Sequence, residues 1–277
     1  MKRRAKRAYI VRDLCRRASA PMRTLPDFVI VGAQKCGTSF LYRLLVQHPD
    51  VKPAFFKEVH YFDLNFGKGD RWYRSRFPLQ IRKKRTYITG ESSPYYLFHP
   101  HAPRRAATVI PEAKLIVLLR NPVDRAYSHY QHQVARVRGE GHETLTFEEA
   151  IEAEERRLAG ELEKLVRNEQ YDSRNYRSYS YLSRGIYIDQ IAAWLRFFDR
   201  NQMLMLRSED LFDNTGGTLK IVLDFLGLPH WAPKTPAPIP NKREYTDLSP
   251  ASRQQLDEYF KPHNRRLYEY LGVDFGW

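Results

Sequence analysis

Two unbroken apolar runs stand out from an otherwise mixed chain: Phe28-Val29-Ile30-Val31 and Leu115-Ile116-Val117-Leu118-Leu119. Each is short and passes directly into a helical pattern, which predicts strands buried on both faces of a parallel sheet. Behind the first run, Ser39 to Gln47 sets Phe40, Leu41, Leu44 and Leu45 along one helical face. Behind the second, Arg120-Asn121-Pro122 opens a helix, with Asn121 suited to the N-cap and Pro122 to the first turn. Between them lie a loop from Pro53 to Tyr61 and a short aromatic helix around Trp72, Tyr73 and Phe77. A strand at Thr86 to Thr89 runs into Gly90-Glu91-Ser92-Ser93-Pro94, and a basic helix covers Ala102 to Val109. Further on, one helix is expected over residues 146–168 and irregular chain over 174–184. Then come a helix over 186–199, a strand at Gln202 to Leu206 and a helix from Thr218 to Leu226, closed by Gly227. Pro229 to Pro240 predicts a Pro-rich loop, and Ser252 to Leu271 a last amphipathic helix. The expected fold class is therefore α/β: a P-loop-like parallel β-sheet flanked by helices on both faces, forming a single domain over residues 26–277.

Length and charge narrow this picture. A chain of 277 residues, 42% hydrophobic and 13% aromatic, buries one substantial core. Its net charge of +14 predicts an acidic partner: a polyphosphorylated nucleotide, a polyanionic glycan, an anionic membrane or nucleic acid. Part of the excess is local. Residues 1–25 form a basic arm with Lys2, Arg3, Arg4, Lys6, Arg7, Arg12, Arg16, Arg17 and Arg23 against only Asp13. The arm lacks the apolar stretch of a secretory signal, which leaves a solvated tail or a surface for membranes or polyanions. No run approaches the ~20 apolar residues of a transmembrane helix. Two cysteines, Cys15 and Cys36, supply neither a disulfide framework nor a zinc site, and a reducing, cytoplasmic compartment is expected.

The first strand carries the chemistry. It runs into Gly32-Ala33-Gln34-Lys35-Cys36-Gly37-Thr38-Ser39, a Gly-bounded loop opening a helix, which aims backbone N–H groups at a phosphate. The usual nucleoside-triphosphate loop places lysine directly after the second glycine. Here Thr38 stands there and the lysine sits at 35. The second strand departs as well: where triphosphatases have a magnesium-binding acid, this chain has Arg120, a planar fork for a phosphate, with Ser128 on the following helix. Both departures remove metal and γ-phosphate chemistry while keeping anion binding.

With these motifs the chain resembles the sulfotransferases that use 3′-phosphoadenosine 5′-phosphosulfate (PAPS). The likeness runs over residues 26–277. It extends through Lys57-Glu58-Val59-His60-Tyr61-Phe62-Asp63, Trp72-Tyr73, Ala102-Pro103-Arg104-Arg105-Ala106, the run Asp124 to Gln133, and Leu256-Asp257-Glu258-Tyr259-Phe260 to the heparan sulfate branch. The resemblance implies a PAPS-dependent sulfotransferase acting on a carbohydrate, glycolipid or small-molecule acceptor, with no metal and no nucleic acid partner. It implies that Lys35, Cys36, Gly37, Thr38 and Ser39 bind the 5′-phosphosulfate and that Arg120 and Ser128 bind the 3′-phosphate. Arg184 lies in a segment near that phosphate, and Lys242 and Arg243 in a loop closing over the nucleotide. Lys35 suits neutralisation of the leaving phosphate oxygen. Glu58 takes the catalytic glutamate's place, and His60, on the same side of an extended segment, is placed to orient the acceptor or share the proton. Asp63 and Ser92 are expected at the acceptor. His132 is a weaker base candidate, and Tyr176, Tyr179 and Tyr181 either line the acceptor cleft or pack. A surface pair of Glu58 with Lys57 or Arg71 remains the plain alternative. One departure stands out: Ser92 replaces a lysine of the heparan sulfate branch, which favours a less anionic acceptor. A P-loop kinase and a polyanion-binding module are the rival readings. The first requires magnesium-dependent ATP turnover, the second binding that survives loss of Lys35.

Overall fold

The computed structural model describes residues 2–80, 86–136, 142–233 and 247–277. Five strands form one parallel sheet: β1 (Phe28–Gly32), β2 (Val51–Pro53), β3 (Ile88–Ser92), β4 (Lys114–Leu119) and β5 (Met203–Arg207), in the order β2-β3-β1-β4-β5. Every residue of β1 is buried, as is all of β4 after Lys114. Neighbouring residues point to opposite faces, so both faces of the sheet are covered. The expected α/β architecture is the observed one. β2 was not anticipated; three residues ending in proline suit an edge strand.

Thirteen helices surround the sheet among the described residues: α1 (Lys2–Ala18), α2 (Thr38–Leu45), α3 (Asp70–Arg74), α4 (Ala102–Val109), α5 (Pro122–Val134), α6 (Phe147–Glu152), α7 (Glu154–Leu158), α8 (Glu161–Arg167), α9 (Arg174–Ser178), α10 (Tyr187–Leu195), α11 (Ser208–Asp213), α12 (Thr215–Leu226) and α13 (Pro250–Leu271). The single helix expected over 146–168 is three short ones. Ala159 turns to extended backbone (ψ 121°) and Gly160 is left-handed (φ 72°), so no helix continues through them. The stretch 174–184, expected to be irregular, contains α9, capped by the Ser173 hydroxyl on the Tyr176 N–H.

Of the two readings of the basic arm, the solvated tail does not hold. The arm is a helix, α1, held to the domain by named contacts. Arg16 donates to the carbonyls of Ser75 (2.7 Å) and Phe77 (2.8 Å), Arg76 pairs with Asp13, and Tyr9 stacks on Phe55. No helix of the described residues is long and apolar enough to cross a membrane.

β1 is central, and the chain leaves it first toward β2 and β3 on one side and later toward β4 and β5 on the other. A crevice therefore opens beyond the carboxyl ends of β1, β3 and β4, where ligands of open α/β sheets bind. The loops carrying Lys35, Ser93 and Arg120 all leave the sheet at that edge.

Candidate active site

The loop after β1 owes its shape to close packing. A Cβ on Gly32 would lie 2.4 Å from Leu97 Cβ. Gly37 is left-handed (φ 82°) at the N-cap of α2, where a Cβ would meet the Phe212 ring at 3.1 Å. The loop is tied back by Ala33 N–H to Leu118 O (2.8 Å), and α2 begins with amides that no earlier helical turn can engage. Opposite, Asn121 caps α5 as expected, accepting from the N–H groups of Val123 (2.9 Å) and Asp124 (3.3 Å), which fixes Arg120 at the end of β4.

Between these loops lies a cleft of about 610 Å³. Lys35, Gly37, Thr38, Ser39, Arg120, Ser128 and Arg184 line it together with Glu58 and His60. The guanidinium of Arg120 has no ion-pair partner among the described residues, and a cation left open in a cleft suits a phosphate. Arg184 is buried and rigidly seated. It donates to Ser180 Oγ (3.1 Å), to the carbonyls of Tyr176 and Arg177, and to Gln34 Oε1, and stacks over Tyr95 and Phe98. Burial lowers its pKa to about 10, which leaves it charged at neutral pH.

Glu58, His60 and Asp63 form an acid–imidazole–acid chain. His60 Nδ1 lies 2.7 Å from Asp63 Oδ2, and His60 Nε2 lies 3.5 Å from Glu58 Oε2. Lys57 Nζ contacts Glu58 Oε1 at 2.5 Å. The surface pair foreseen as the plain alternative therefore exists, and it sits inside the same cluster. Burial is the largest single influence on His60 and works downward. The hydrogen bonds to Asp63 and Glu58 and their charges outweigh it, lifting the imidazole to about 10. Glu58 is lowered to about 2, first by the hydrogen bond from His60 and, against a burial effect of opposite sign, by Lys57. The pair is thus carboxylate and imidazolium at neutral pH.

Backbone strain falls on the same residues. Lys35 (φ 73°), Glu58 (φ 59°) and His60 (φ 51°) are the non-glycine residues with positive φ among those described. Each such residue costs on the order of 1 kcal/mol or more and persists only where its surroundings enforce it. For His60 the enforcement comes from β3. Ser93 Oγ accepts the His60 N–H (3.1 Å) and donates to Glu91 Oε2 (2.7 Å). Tyr96 Oη accepts the Tyr61 N–H (2.6 Å) and donates to Glu91 Oε1 (3.0 Å), and Tyr73 Oη donates to the same oxygen (2.8 Å). Glu91 is fully buried, and burial raises its pKa to about 7. No pattern in the chain marked Glu91 as the hub of this network, because its partners Tyr73 and Tyr96 come from separate segments.

Three site residues fall elsewhere than the sequence suggested. Cys36 is buried beneath the loop: its N–H donates to Ala33 O (3.3 Å), its thiol lies near Gln34 O and Tyr187 Oη, and burial pushes the thiol up to about 11, so it offers the cleft nothing. The Asp63 carboxylate is fully buried behind His60, where it positions the ring and is shielded from an acceptor. Ser92 is buried in β3, with its Oγ unpartnered among the described residues, and does not line the cleft. Tyr176 and Tyr181 pack, the first on Phe98 and the second with its hydroxyl on Glu143 (2.9 Å); Tyr179 donates toward the His142 carbonyl at 3.4 Å. His132 lines the cleft, as do Arg136 and Arg177, which sequence reasoning passed over; one arginine among 46 basic residues carries no signal of its own. Lys242 and Arg243 lie outside the described residues.

A parallel sheet with a Gly-bounded loop at its switch point, an arginine open to the cleft and an acid–imidazole pair lining the same cleft make a site suited to a phosphorylated ligand. The chain matches the sulfotransferase domain family over residues 25–263. It is 31% identical to heparan sulfate glucosamine 3-O-sulfotransferase 3B1 of Mus musculus, covering 94% of this chain and 67% of that protein. It is also 31% identical to heparan sulfate glucosamine 3-O-sulfotransferase 6 of Homo sapiens, covering 94% and 76%. Its fold aligns with a sulfotransferase from Alicyclobacillus acidocaldarius at a TM-score of 0.71 and 29% identity, over 91% of this chain and 98% of that one. The chain belongs to the sulfotransferase family. It spans 62% to 76% of the length of the heparan sulfate 3-O-sulfotransferases it matches.

Proposed function

We propose that this chain moves a sulfuryl group from PAPS to a hydroxyl or amine of a carbohydrate acceptor, with Glu58 as the base. One observation carries the reading. Glu58 and His60 share a single cleft with Lys35, Arg120, Ser128 and Arg184. In this scheme the acceptor oxygen or nitrogen forms a bond to sulfur as the bond from sulfur to the bridging phosphate oxygen breaks. The acceptor proton passes to the Glu58 carboxylate, which is ionised throughout the neutral range. Acceptor binding strips water from this half-exposed carboxylate, and desolvation raises its affinity for the proton. Lys35 neutralises the charge growing on the bridging oxygen, and adenosine 3′,5′-bisphosphate leaves. Gly37, Thr38 and Ser39 bind the 5′-phosphate, and Arg120 and Ser128 the 3′-phosphate. No metal is assigned a part, because the donor has no β,γ-phosphate pair to bridge.

Two finer points belong to this reading. A cytoplasmic setting fits two free cysteines. A peripheral membrane contact through α1 fits its outward side chains: Ile10, Val11 and Leu14 are 47–60% exposed on a basic helix.

The test is transfer of labelled sulfate from PAPS into a panel of saccharide acceptors, with Arg120→Ala alongside. The expected result is acceptor-dependent label. Arg120→Ala should weaken adenosine 3′,5′-bisphosphate at least ~10-fold, on the order of one charge-assisted hydrogen bond or more, and leave adenosine 5′-phosphate within twofold. Equal losses for both nucleotides would remove Arg120 from the 3′-phosphate, and magnesium-dependent ATP turnover without sulfate transfer would favour a kinase.

A further inference from the structure

The catalytic pair stands at the junction of two cavities. Besides the nucleotide-facing cleft, a second groove of about 380 Å³ ends on Glu58 and His60. Its outer wall is α1, through Tyr9, Asp13 and Arg17, and its inner wall is Phe56, Lys68 and Trp72. α1 lies before residue 25, where the match to the family's domain begins. It is a fixed wall. The Arg16 bonds to Ser75 O and Phe77 O and the Arg76–Asp13 pair pin it against α3 and the turn after it.

The groove's chemistry is aromatic and cationic. Asp13 is shared by Arg17 (2.8 Å) and Arg76, so its charge is already answered. Lys68 has its ammonium 4.7 Å from the centroid of the Trp72 ring and no carboxylate partner among the described residues. Trp72 is buried beneath Lys68 and Arg76 and backs the floor, while Tyr9 is half exposed; that ring, with Lys68 and Arg17 along the same groove, suits a sugar ring that carries an acidic substituent. An acceptor longer than one unit, placed for transfer at Glu58, finds this groove beside it, and none of the residues assigned to the nucleotide lines it.

We propose that this groove is a subsite for the acceptor. It takes the saccharide unit next to the one being sulfated, with that unit's carboxylate or sulfate directed at Arg17 and Lys68. The inference rests on the carbohydrate-acceptor reading above and gives α1 a part in it.

The test is calorimetric titration of a heparan sulfate hexasaccharide into the full chain saturated with adenosine 3′,5′-bisphosphate. Arg17→Ala/Lys68→Ala should weaken the hexasaccharide at least ~10-fold while the nucleotide affinity stays within twofold. A control pair outside both cavities, Lys220→Ala/Lys261→Ala, removes the same charge and should change little. Unchanged hexasaccharide affinity in the groove variant overturns the subsite and leaves the acceptor reading standing. Equal weakening by the control pair reduces the effect to net charge and also overturns it. A wild-type protein that binds nucleotide but no hexasaccharide overturns the subsite, while the acceptor reading is decided by the saccharide panel above. Tyr9→Ala, which removes one ring and no charge, should weaken the hexasaccharide, while Tyr9→Phe, which keeps the stack on Phe55, leaves it within twofold; no weakening by Tyr9→Ala counts against the groove.

Discussion

Between Glu58 and Asp63 one imidazole serves two carboxylates, and the consequences are opposite in sign for acid and base. His60 is raised from an ordinary 6.5 to about 10. Its contribution to stability is therefore complete below pH 6.5 and lost as the pH climbs through about 10. Glu58 is lowered from 4.5 to about 2, so its contribution is complete above pH 4.5 and lost as the pH falls through about 2. Throughout the range between, both charges are in place, and a base that needs no deprotonation gives no acidic limb near neutrality. Activity should decline as the pH approaches 10 and the imidazolium is lost, which a pH series of kcat/KM measures. Glu58→Gln keeps the shape and removes the charge. Turnover should fall ~10²-fold or more with adenosine 3′,5′-bisphosphate affinity unchanged; near-normal turnover would pass the role of base to His60 or His132.

At the scale of elements, sequence and structure part company where stability is not local. β1 and β4 were legible because both faces of each strand are buried, and a buried strand needs no partner to announce itself. α5 was legible from Asn121 and Pro122, whose cap geometry is a property of two adjacent residues. α1 was not, because no apolar stripe marks it. It is held by Arg16, Asp13 and Tyr9 reaching groups more than forty residues away. The break near Gly160 was hidden inside a composition rich in helix formers, for helix propensity yields to a single left-handed residue. Likewise the loop lysine and arginine at 35 and 120 could be assigned from their places after strands, but the depth of Cys36, Asp63 and Ser92 could not. That depth depends on what lies above each, and only the assembled sheet supplies it. The loop–α2 junction offers a direct check. Gly37→Ala must accept φ 82° and a Cβ 3.1 Å from the Phe212 ring. Urea unfolding should show a loss of about 1–3 kcal/mol, and nucleotide binding should weaken with it because the α2 amides shift.

For the whole molecule, the net charge of +14 acquires an address. The cations lining the cleft suit anionic ligands within, while α1 carries basic residues and three exposed apolar side chains on the outside. Vesicles with about a third anionic lipid should sediment the protein at low salt and release it as ionic strength rises. Ile10→Ser/Leu14→Ser should reduce the bound fraction; binding that ignores both salt and these substitutions would remove α1 from the contact. The suspension of the Glu58–His60 loop has a last consequence, for protein engineering. Its strained turn is dictated from below, by hydroxyls of Tyr73, Ser93 and Tyr96 gathered on one buried carboxylate. Transplanting residues 57–63 into another scaffold would therefore carry over letters without their shape. The loop keeps its shape in a new scaffold only when those four supports travel with it, together with Asn65 and Arg105, which donate to the carbonyls of His60 and Phe62.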